Sequence, residues 1–263
     1  MKPDISIITP TLNSEKYIEN CIKSITSQKK INIQHIVVDG GSKDLTRNIV
    51  EKSNFSEFHL LNNSSIYEAL NYGVDQAQAS LIGFLNSDDT YFSNYIISEI
   101  IDIYKNNKSN IIIYGNCRFV NENGKVIYRL ISSKNLKYKF AKKRIFNISH
   151  PCWFTDKKTF IKLGGYNTKF RYISDCDYIL RALNKNIKFS YLGKDVCNFL
   201  IHSNNKSNSQ EAKEELINYI NIINGNRLRN KIEYYLFTVF LYLKDPRYFF
   251  FKINKFSKQY FKF

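Results

Sequence analysis

The chain has 263 residues, of which 43% are hydrophobic and 24% are charged, and its formal net charge is +16 at pH 7. These values exclude a disulfide-stapled miniprotein and a disordered low-complexity chain, and they allow one sizeable α/β domain with a small appendage. The excess of basic residues indicates an anionic partner, such as a nucleic acid, a phosphorylated substrate or a membrane surface.

The cysteines and the apolar runs indicate in which cellular compartment the protein is expected. The five cysteines never form a CxxC pair, which argues against a disulfide framework and against a zinc knuckle. The first apolar stretch is broken at Pro10, and the apolar run at residues 234–243 is shorter than the roughly 18 residues that span a bilayer. We therefore expect a cytoplasmic protein without a signal sequence or a spanning helix.

The first half of the chain alternates between strand and helix patterns. Short β-branched runs alternate with segments whose apolar residues recur at helical spacing, and Ser42 is expected to cap the second helix. The predicted order is strand 5–9, helix 15–28, strand 33–39, helix 45–50, strand 58–61, helix 68–77 and strand 81–86. Such alternation predicts a parallel sheet covered by helices.

Polar residues follow several of the predicted strands. Pro10, Asp39 and Asp88 each lie at a strand end, and parallel sheets bind ligands outside the carboxyl ends of their strands. Asp88 and Asp89 are adjacent acids that repel each other, so either water solvates them on a turn or a cation lies between them and a partner. The clustering of strand ends favours the second explanation.

The second half is less regular. It contains a predicted strand at 111–120, a basic stretch at 137–144 and a predicted helix at 174–183 that carries Asp175 and Asp177 in its first turn. The helix dipole favours negative charge there, which is a purely structural explanation for both acids.

A polar loop at 203–209 precedes the last predicted helix, at 211–228, and a basic and aromatic tail. We place a domain boundary near Asn205. The resulting domains are residues 1–205, with halves 1–116 and 117–205, and a helical C-terminal extension at 206–263.

Five stretches carry a resemblance to a known family. They are SIITPTLNSEKYIENCIKSI, IVVDGGSKDLT, SIYEALNYGVDQAQASLIGFLNSDD, HPCWFTDKKTFIKLGGYNTKF and SDCDYILRAL. As a set they resemble the inverting family-2 glycosyltransferases of the GT-A fold, especially those that build bacterial surface polysaccharides. The resemblance implies an α/β fold with a Rossmann-like, mostly parallel sheet covered by helices.

The resemblance also implies a site for a nucleoside-diphosphate sugar, with a UDP-sugar as the expected donor. The base and ribose would be held by the turn after the first strand and by one carboxylate, and two further residues would lie near the donor. These nucleotide-sugar-binding residues are Pro10, Thr11, Asn13, Asp39, Asn71 and Asp88. Asp39 could instead serve only to form the turn before Gly40.

A divalent cation, Mn²⁺ or Mg²⁺, is the implied cofactor. By the resemblance, Asp89 is the direct metal ligand of the family's DxD-like motif and His202 completes the metal site. Such a cation takes carboxylate and phosphate oxygens together and assists departure of the diphosphate. A structural role for a lone histidine remains the alternative.

Asp175 matches the family's general base, which takes the proton from the acceptor hydroxyl. Asp177 is the alternative base, and the acceptor side would also include His150 and Trp153. Trp153 could equally be a core side chain. The family often has Glu-Asp where this chain has Ser174 before Asp175.

The tail at 227–263 mixes Lys and Arg with Phe and Tyr, a pattern typical of a membrane interface, although an ordinary solvated basic face is the alternative. The family resemblance implies a metal-dependent inverting glycosyltransferase whose acceptor is a saccharide or a lipid-linked saccharide, and the tail adds the expectation that it is peripheral at the inner face of the membrane. The alternatives are an inactive nucleotide-sugar-binding scaffold and, with less support, a nucleic-acid-binding protein. No nucleic acid is expected as a partner, because no RNA-binding signature occurs.

Overall fold

The computed structural model describes most of the chain up to residue 224. The described residues are 2–107, 110–138, 148–202, 205 and 209–224. The predicted tail, most of the polar loop at 203–209 and most of the basic stretch at 137–144 lie outside the described residues.

The first half has the predicted alternation of strands and helices. Its elements are β1 (Ile5–Thr11), α1 (Ile18–Thr26), β2 (Ile33–Asp39), α2 (Thr46–Lys52), β3 (Ser56–Leu60), α3 (Ile66–Gln76) and β4 (Leu81–Phe84). The predicted cap at Ser42 is wrong, because α2 begins after Leu45 without a side-chain cap. The Ser42 hydroxyl donates to Asp39 Oδ1 instead, at 2.6 Å.

The second half adds five strands and four helices to the described part of the fold. Its elements are β5 (Thr90–Tyr91), α4 (Ile96–Asn107), β6 (Ile111–Val120), β7 (Val126–Leu130), a 3₁₀ turn (His150–Cys152), β8 (Trp153–Asp156), α5 (Lys157–Lys162), α6 (Ser174–Asn184), β9 (Lys188–Leu200) and α7 (Gln210–Asn224). The predicted strand at 111–120 and the helix that carries Asp175 are thus confirmed.

All described strands join one sheet in the order β3-β2-β1-β4-β8-β6-β9-β5, and β7 pairs with β6. β8 runs antiparallel between β4 and β6, whereas β6 and β9 are parallel to each other. Consequently β1 to β4, β6 and β9 all point the same way. Their carboxyl ends lie along one edge of the sheet, and His202 lies two residues past the end of β9.

The core lies on both faces of this sheet because successive strand residues point to opposite sides. Ile7 packs in a cluster with residues of α1 and α4, while Ile8 packs with residues of α3 and α6. Tyr219 and Ile223 of α7 pack against the cluster of Ile8. Helix α7 therefore belongs to the packed body of the domain, although the predicted boundary near Asn205 would separate it.

Within the described ranges, no helix is long and apolar enough to cross a membrane.

Candidate functional site

The turn after β1 is tied to the loop after β2. Asn13 has a left-handed backbone with φ of 51°, a conformation that Asn tolerates better than most residues. Its N–H donates to Ser42 Oγ at 2.8 Å, and its Oδ1 accepts the N–H of Lys43 at 2.9 Å. These bonds hold the two loops side by side at the carboxyl edge of the sheet.

Asp39 ends β2 and is only 1% exposed. Its carboxylate accepts the N–H of Ser42 at 3.1 and 3.2 Å, in addition to the Ser42 hydroxyl. The turn-forming role of Asp39 is therefore present in the structure. Its contact with a nucleotide stays a prediction.

Two buried hydroxyls beside these loops, Thr11 Oγ1 and Ser64 Oγ, have no hydrogen-bond partner within the described part of the chain. Gly40 neighbours both residues, since its N–H donates to the carbonyl oxygen of Thr11 at 2.9 Å and a Cβ there would be 3.6 Å from the carbonyl oxygen of Ser64. Because buried polar groups are normally paired, these hydroxyls indicate a place for a polar ligand. Pro10 itself is buried within β1, so the residues after it are the ones that can meet a ligand.

Asp88 and His202 come together at the ends of β4 and β9. Asp88 Oδ2 lies 2.8 Å from His202 Nε2 and 3.3 Å from Asn205 Nδ2. The ring of Tyr17 stacks on the His202 imidazole with centroids 4.9 Å apart. The Asp88 side chain is 21% exposed and that of His202 is 10% exposed, so the pair remains accessible from solvent.

Asp89, in contrast, is fully buried. Its Oδ1 accepts the N–H of Leu200 at 3.0 Å, and its Oδ2 accepts from Asn86 Nδ2 at 2.8 Å. Burial raises the pKa of the Asp89 carboxyl well above its usual range, and the charge of Asp88 raises it further. The assignment of Asp89 as the direct metal ligand thus differs from the observed geometry, because both of its oxygens already bind protein donors away from solvent.

The Asp88–His202 pair fits a divalent cation that is shared with a substrate. A carboxylate is a ligand for Mg²⁺ and Mn²⁺, and imidazole is a ligand for transition metals. No group of three or more His, Cys, Asp or Glu side chains that could hold a metal occurs among the described residues. Two protein ligands suffice where substrate phosphates supply others, as is common for Mg²⁺.

Asp175 lies in the first turn of α6 and is partly exposed. Its Oδ1 is 3.0 Å from the hydroxyl of Tyr67, which is also 2.9 Å from the carbonyl oxygen of Tyr172. Burial, with the charge of Asp175 adding to it, raises the pKa of Tyr67 well above its usual range, so the hydroxyl remains a donor. Since α3 begins just after the carboxyl end of β3, this contact places Asp175 at the same edge of the sheet as Asp39.

Asp177 is more deeply placed, at 7% exposure. Its Oδ2 lies 2.8 Å from Arg181 Nε, and its Oδ1 accepts the hydroxyl of Tyr219 at 2.7 Å. Asp177 therefore joins α6 to α7, and Asp175 is the more accessible acid of the two.

The residues predicted for the acceptor side differ in exposure. His150 Nε2 is 2.8 Å from the hydroxyl of Tyr166, and burial lowers the pKa of His150, although the charge of Asp175 opposes this. Trp153 is 1% exposed and stacks on Tyr178 with centroids 5.3 Å apart. The core alternative for Trp153 is thus the observed one, and its indole offers no surface to an acceptor.

Asn71 holds a loop in place. Its Nδ2 donates to the carbonyl oxygen of Tyr166 at 2.8 Å, and its Oδ1 accepts the N–H of Tyr166 at 2.9 Å. Arg181 holds the same loop from α6 by donating to the carbonyl oxygen of Gly165 at 2.7 Å. Both polar atoms of Asn71 are therefore engaged by the backbone, and its contact with a donor stays a prediction.

Sequence reasoning did not single out three residues of this region. They are Tyr17, which stacks on His202, Tyr67, which contacts Asp175, and Asn205, whose Nδ2 also reaches Asp88. Tyr17 and Tyr67 each lie within a stretch that resembles the family, and this was the available signal. The contacts themselves join distant parts of the chain, so no spacing could reveal them.

Comparison of sequences gives a family and several relatives. The profile described as Glycosyl transferase family 2 matches residues 6–164. A PGL/p-HBAD biosynthesis glycosyltransferase of Mycobacterium bovis is 28% identical over 187 residues, covering 69% of this chain and 70% of that protein. An uncharacterized glycosyltransferase of Rickettsia bellii is 34% identical over 132 residues, covering 49% of this chain and 19% of that protein. The chain thus spans about a fifth of the rickettsial relative.

Among solved structures, the fold is similar to that of S. aureus TarS. Its residues 1–349, solved in complex with UDP-GlcNAc, match with a TM-score of 0.67 at 19% identity, covering 84% of this chain and 66% of that one. A longer TarS chain matches with a TM-score of 0.65, and this chain covers 39% of it. At such identity the likeness shows the fold. Because the profile also covers more than half of the 263 residues, the chain belongs to glycosyl transferase family 2 and has the GT-A fold.

Proposed function

We propose that this protein transfers a sugar, with inversion, from a nucleoside-diphosphate sugar to a hydroxyl of a saccharide or lipid-linked saccharide in bacterial surface-polysaccharide biosynthesis. The observation that carries the proposal is the Asp88–His202 contact of 2.8 Å at the carboxyl edge of the sheet. A UDP-sugar is the proposed donor, because the similar fold of TarS was solved with UDP-GlcNAc.

The nucleotide would lie against the loops after β1 and β2. Asp39 would accept from the base, and the unpartnered hydroxyls of Thr11 and Ser64 would bond to polar atoms of the nucleoside. Asn13 would shape this pocket through its backbone, since its side chain already holds the neighbouring loop.

Asp88 and His202 would hold Mn²⁺ or Mg²⁺ together with the diphosphate of the donor. The cation supplies charge neutralisation to the departing diphosphate. Asp89 would act behind this pair, by fastening the end of β9, and with it His202, to the loop that carries Asp88.

Asp175 would be the general base. Its carboxylate would take the proton of the acceptor hydroxyl while the hydroxyl oxygen attacks the anomeric carbon. The bond from that carbon to the diphosphate oxygen breaks in the same displacement, which inverts the centre. Tyr67 would orient the carboxylate through its hydrogen bond, and His150 would face the acceptor as a neutral imidazole.

Thermal unfolding with UDP, with and without Mn²⁺, tests the donor site, because a ligand of the folded state must raise the apparent stability. We expect a rise that needs both UDP and Mn²⁺. Asp175→Asn should keep this rise while losing sugar transfer by about 100-fold or more. Near-full turnover by Asp175→Asn would move the base to another group.

A protein that binds UDP with Mn²⁺ but releases no UDP from any donor would instead be the nucleotide-sugar-binding scaffold.

The proposed peripheral membrane location rests on the net charge of +16 and on the basic tail. Co-sedimentation with anionic but not neutral vesicles, lost in high salt, is the expected result. Equal recovery with both vesicle types would contradict an electrostatic anchor.

A further inference from the structure

We propose that Glu215 of α7 is a positioning residue for Asp175, so that the catalytic unit includes a helix beyond both the family profile and the predicted domain boundary. This inference rests on the proposed function, in which Asp175 is the base. It gives a role in the reaction to α7, which lies in the segment predicted from sequence as a C-terminal extension.

The Glu215 carboxylate binds three consecutive backbone amides. Its Oε1 accepts the N–H of Arg171 at 2.8 Å, and its Oε2 accepts the N–H groups of Tyr172 and Ile173 at 2.7 and 3.2 Å. Hydrogen bonds to an ionised acceptor are about twice as strong as neutral ones. One side chain thus satisfies the amides of the three residues that lead directly into α6.

These amides belong to residues 171–173, which lie before the first turn of α6, so no carbonyl oxygen within the helix accepts from them. Ile173 is the N-cap of α6 and has no polar side chain to cap the helix, unlike the Ser, Thr, Asp or Asn preferred there, so Glu215 is the side chain that anchors the entry to α6. Asp175 is only two residues further along the chain. Any movement of the segment that Glu215 holds is therefore passed to the base.

The same segment is held from its other side. The Tyr67 hydroxyl lies within hydrogen-bond distance of both the carbonyl oxygen of Tyr172 and the Asp175 carboxylate. Tyr219, one turn after Glu215, donates to Asp177 at 2.7 Å. The base is thus clamped between α3 and α7, and α7 provides contacts both before and after it.

The positioning role of Glu215 is tested with the variants Glu215→Ala and Glu215→Gln and with the control variant Glu214→Gln. Glu214 is exposed and contacts Gln210 on the outer side of α7, so its variant changes the same charge without touching the segment. The measurement is UDP release from UDP-GlcNAc with Mn²⁺, with water or a panel of soluble saccharides as acceptor, below the unfolding temperature of every variant.

We expect Glu215→Ala to lower kcat by about 10- to 100-fold, since small misplacement of a catalytic group costs this much. KM for the donor and the Mn²⁺-dependent thermal shift by UDP should stay within about twofold of wild type, and Glu214→Gln should match wild type. Glu215→Gln should fall between, because it retains one acceptor oxygen.

A merely structural role would lower the unfolding temperature and leave kcat unchanged, which would overturn the proposal. A loss confined to KM would overturn it as well, since it would place Glu215 with the donor. If wild-type protein neither binds UDP with Mn²⁺ nor releases it, the proposed function fails first and the positioning role fails with it. The wild-type control alone therefore distinguishes failure of the proposed function from failure of the positioning role.

Discussion

At the scale of single residues, two neighbouring acids have different environments. Asp88 contacts His202 and remains partly open to solvent, while Asp89 is buried and bridges Asn86 to Leu200. Sequence identifies the pair, because both follow a strand end. It cannot tell which acid faces a ligand, since the alternation of sides that holds within a strand is lost in the turn after it.

The variants Asp88→Asn and Asp89→Asn separate the two roles. Asp88→Asn should lose the Mn²⁺-dependent part of UDP binding with little change in stability, because it weakens only an accessible ligand. Asp89→Asn should keep the Mn²⁺-dependent binding but lower the free energy of unfolding by about 1–3 kcal/mol, because its amide nitrogen would face a buried N–H donor. Urea unfolding and UDP thermal shifts measure both effects.

Each variant serves as the control for the other, since both replace a carboxylate with an amide of the same shape. Loss of Mn²⁺-dependent binding in Asp89→Asn at unchanged stability would restore Asp89 as the direct ligand. The same kind of contact distinguishes Asp177 from Asp175: Asp177 is bound to Arg181, its i,i+4 neighbour on the helix, and to Tyr219 of α7, and only the second contact joins distant parts of the chain.

At the scale of elements, sequence predicts what is local. The strand at 33–39 and the strand at 111–120 have the predicted bounds, because β-branched runs and turns mark them directly. The insertion of β8 between β4 and β6, antiparallel to both, could not be predicted, since strand pairing depends on contacts far apart in the chain. The contact of Glu215 with residues 171–173 could not be predicted from the sequence for the same reason.

The close packing of α3 on β1 reverses the stability change that helix propensity predicts for replacing a glycine of α3. Replacing a helical glycine with alanine normally stabilises by about 1 kcal/mol. At Gly73, however, a Cβ would lie 2.4 Å from Ile8 Cγ2, so Gly73→Ala should destabilise by about 1–3 kcal/mol through overpacking. Urea unfolding measures the change.

A double-mutant cycle with Ile8→Ala gives the control, because that change removes the atom that clashes. The cost of Gly73→Ala should be smaller in the Ile8→Ala background, with a coupling of at least about 0.5 kcal/mol. A stabilising Gly73→Ala in the wild-type background would mean that helix propensity outweighs the close approach of α3 to the sheet.

At the scale of the whole molecule, a buried histidine in the sheet makes stability depend on pH. His35 is fully buried, with Nδ1 2.7 Å from Ser56 Oγ and Nε2 3.0 Å from Thr9 Oγ1. Burial lowers its pKa from 6.5 to about 3. The unfolded chain therefore binds one more proton than the folded protein between these two values, and the free energy of unfolding should fall as pH falls through this window.

The loss should approach about 1.4 kcal/mol per pH unit below pH 6, as linkage requires for one proton. Urea unfolding at pH 7.5, 6 and 5 measures it. His35→Gln should be less stable than wild type at pH 7.5 but should lose less stability on acidification, because no imidazole remains to be protonated. His59→Gln is the control, since the His59 side chain is 23% exposed, and it should keep the wild-type slope. An unchanged slope in His35→Gln would mean that other groups account for the whole effect, namely His150, whose pKa burial also lowers, and carboxylates whose protonation destabilises the fold in acid.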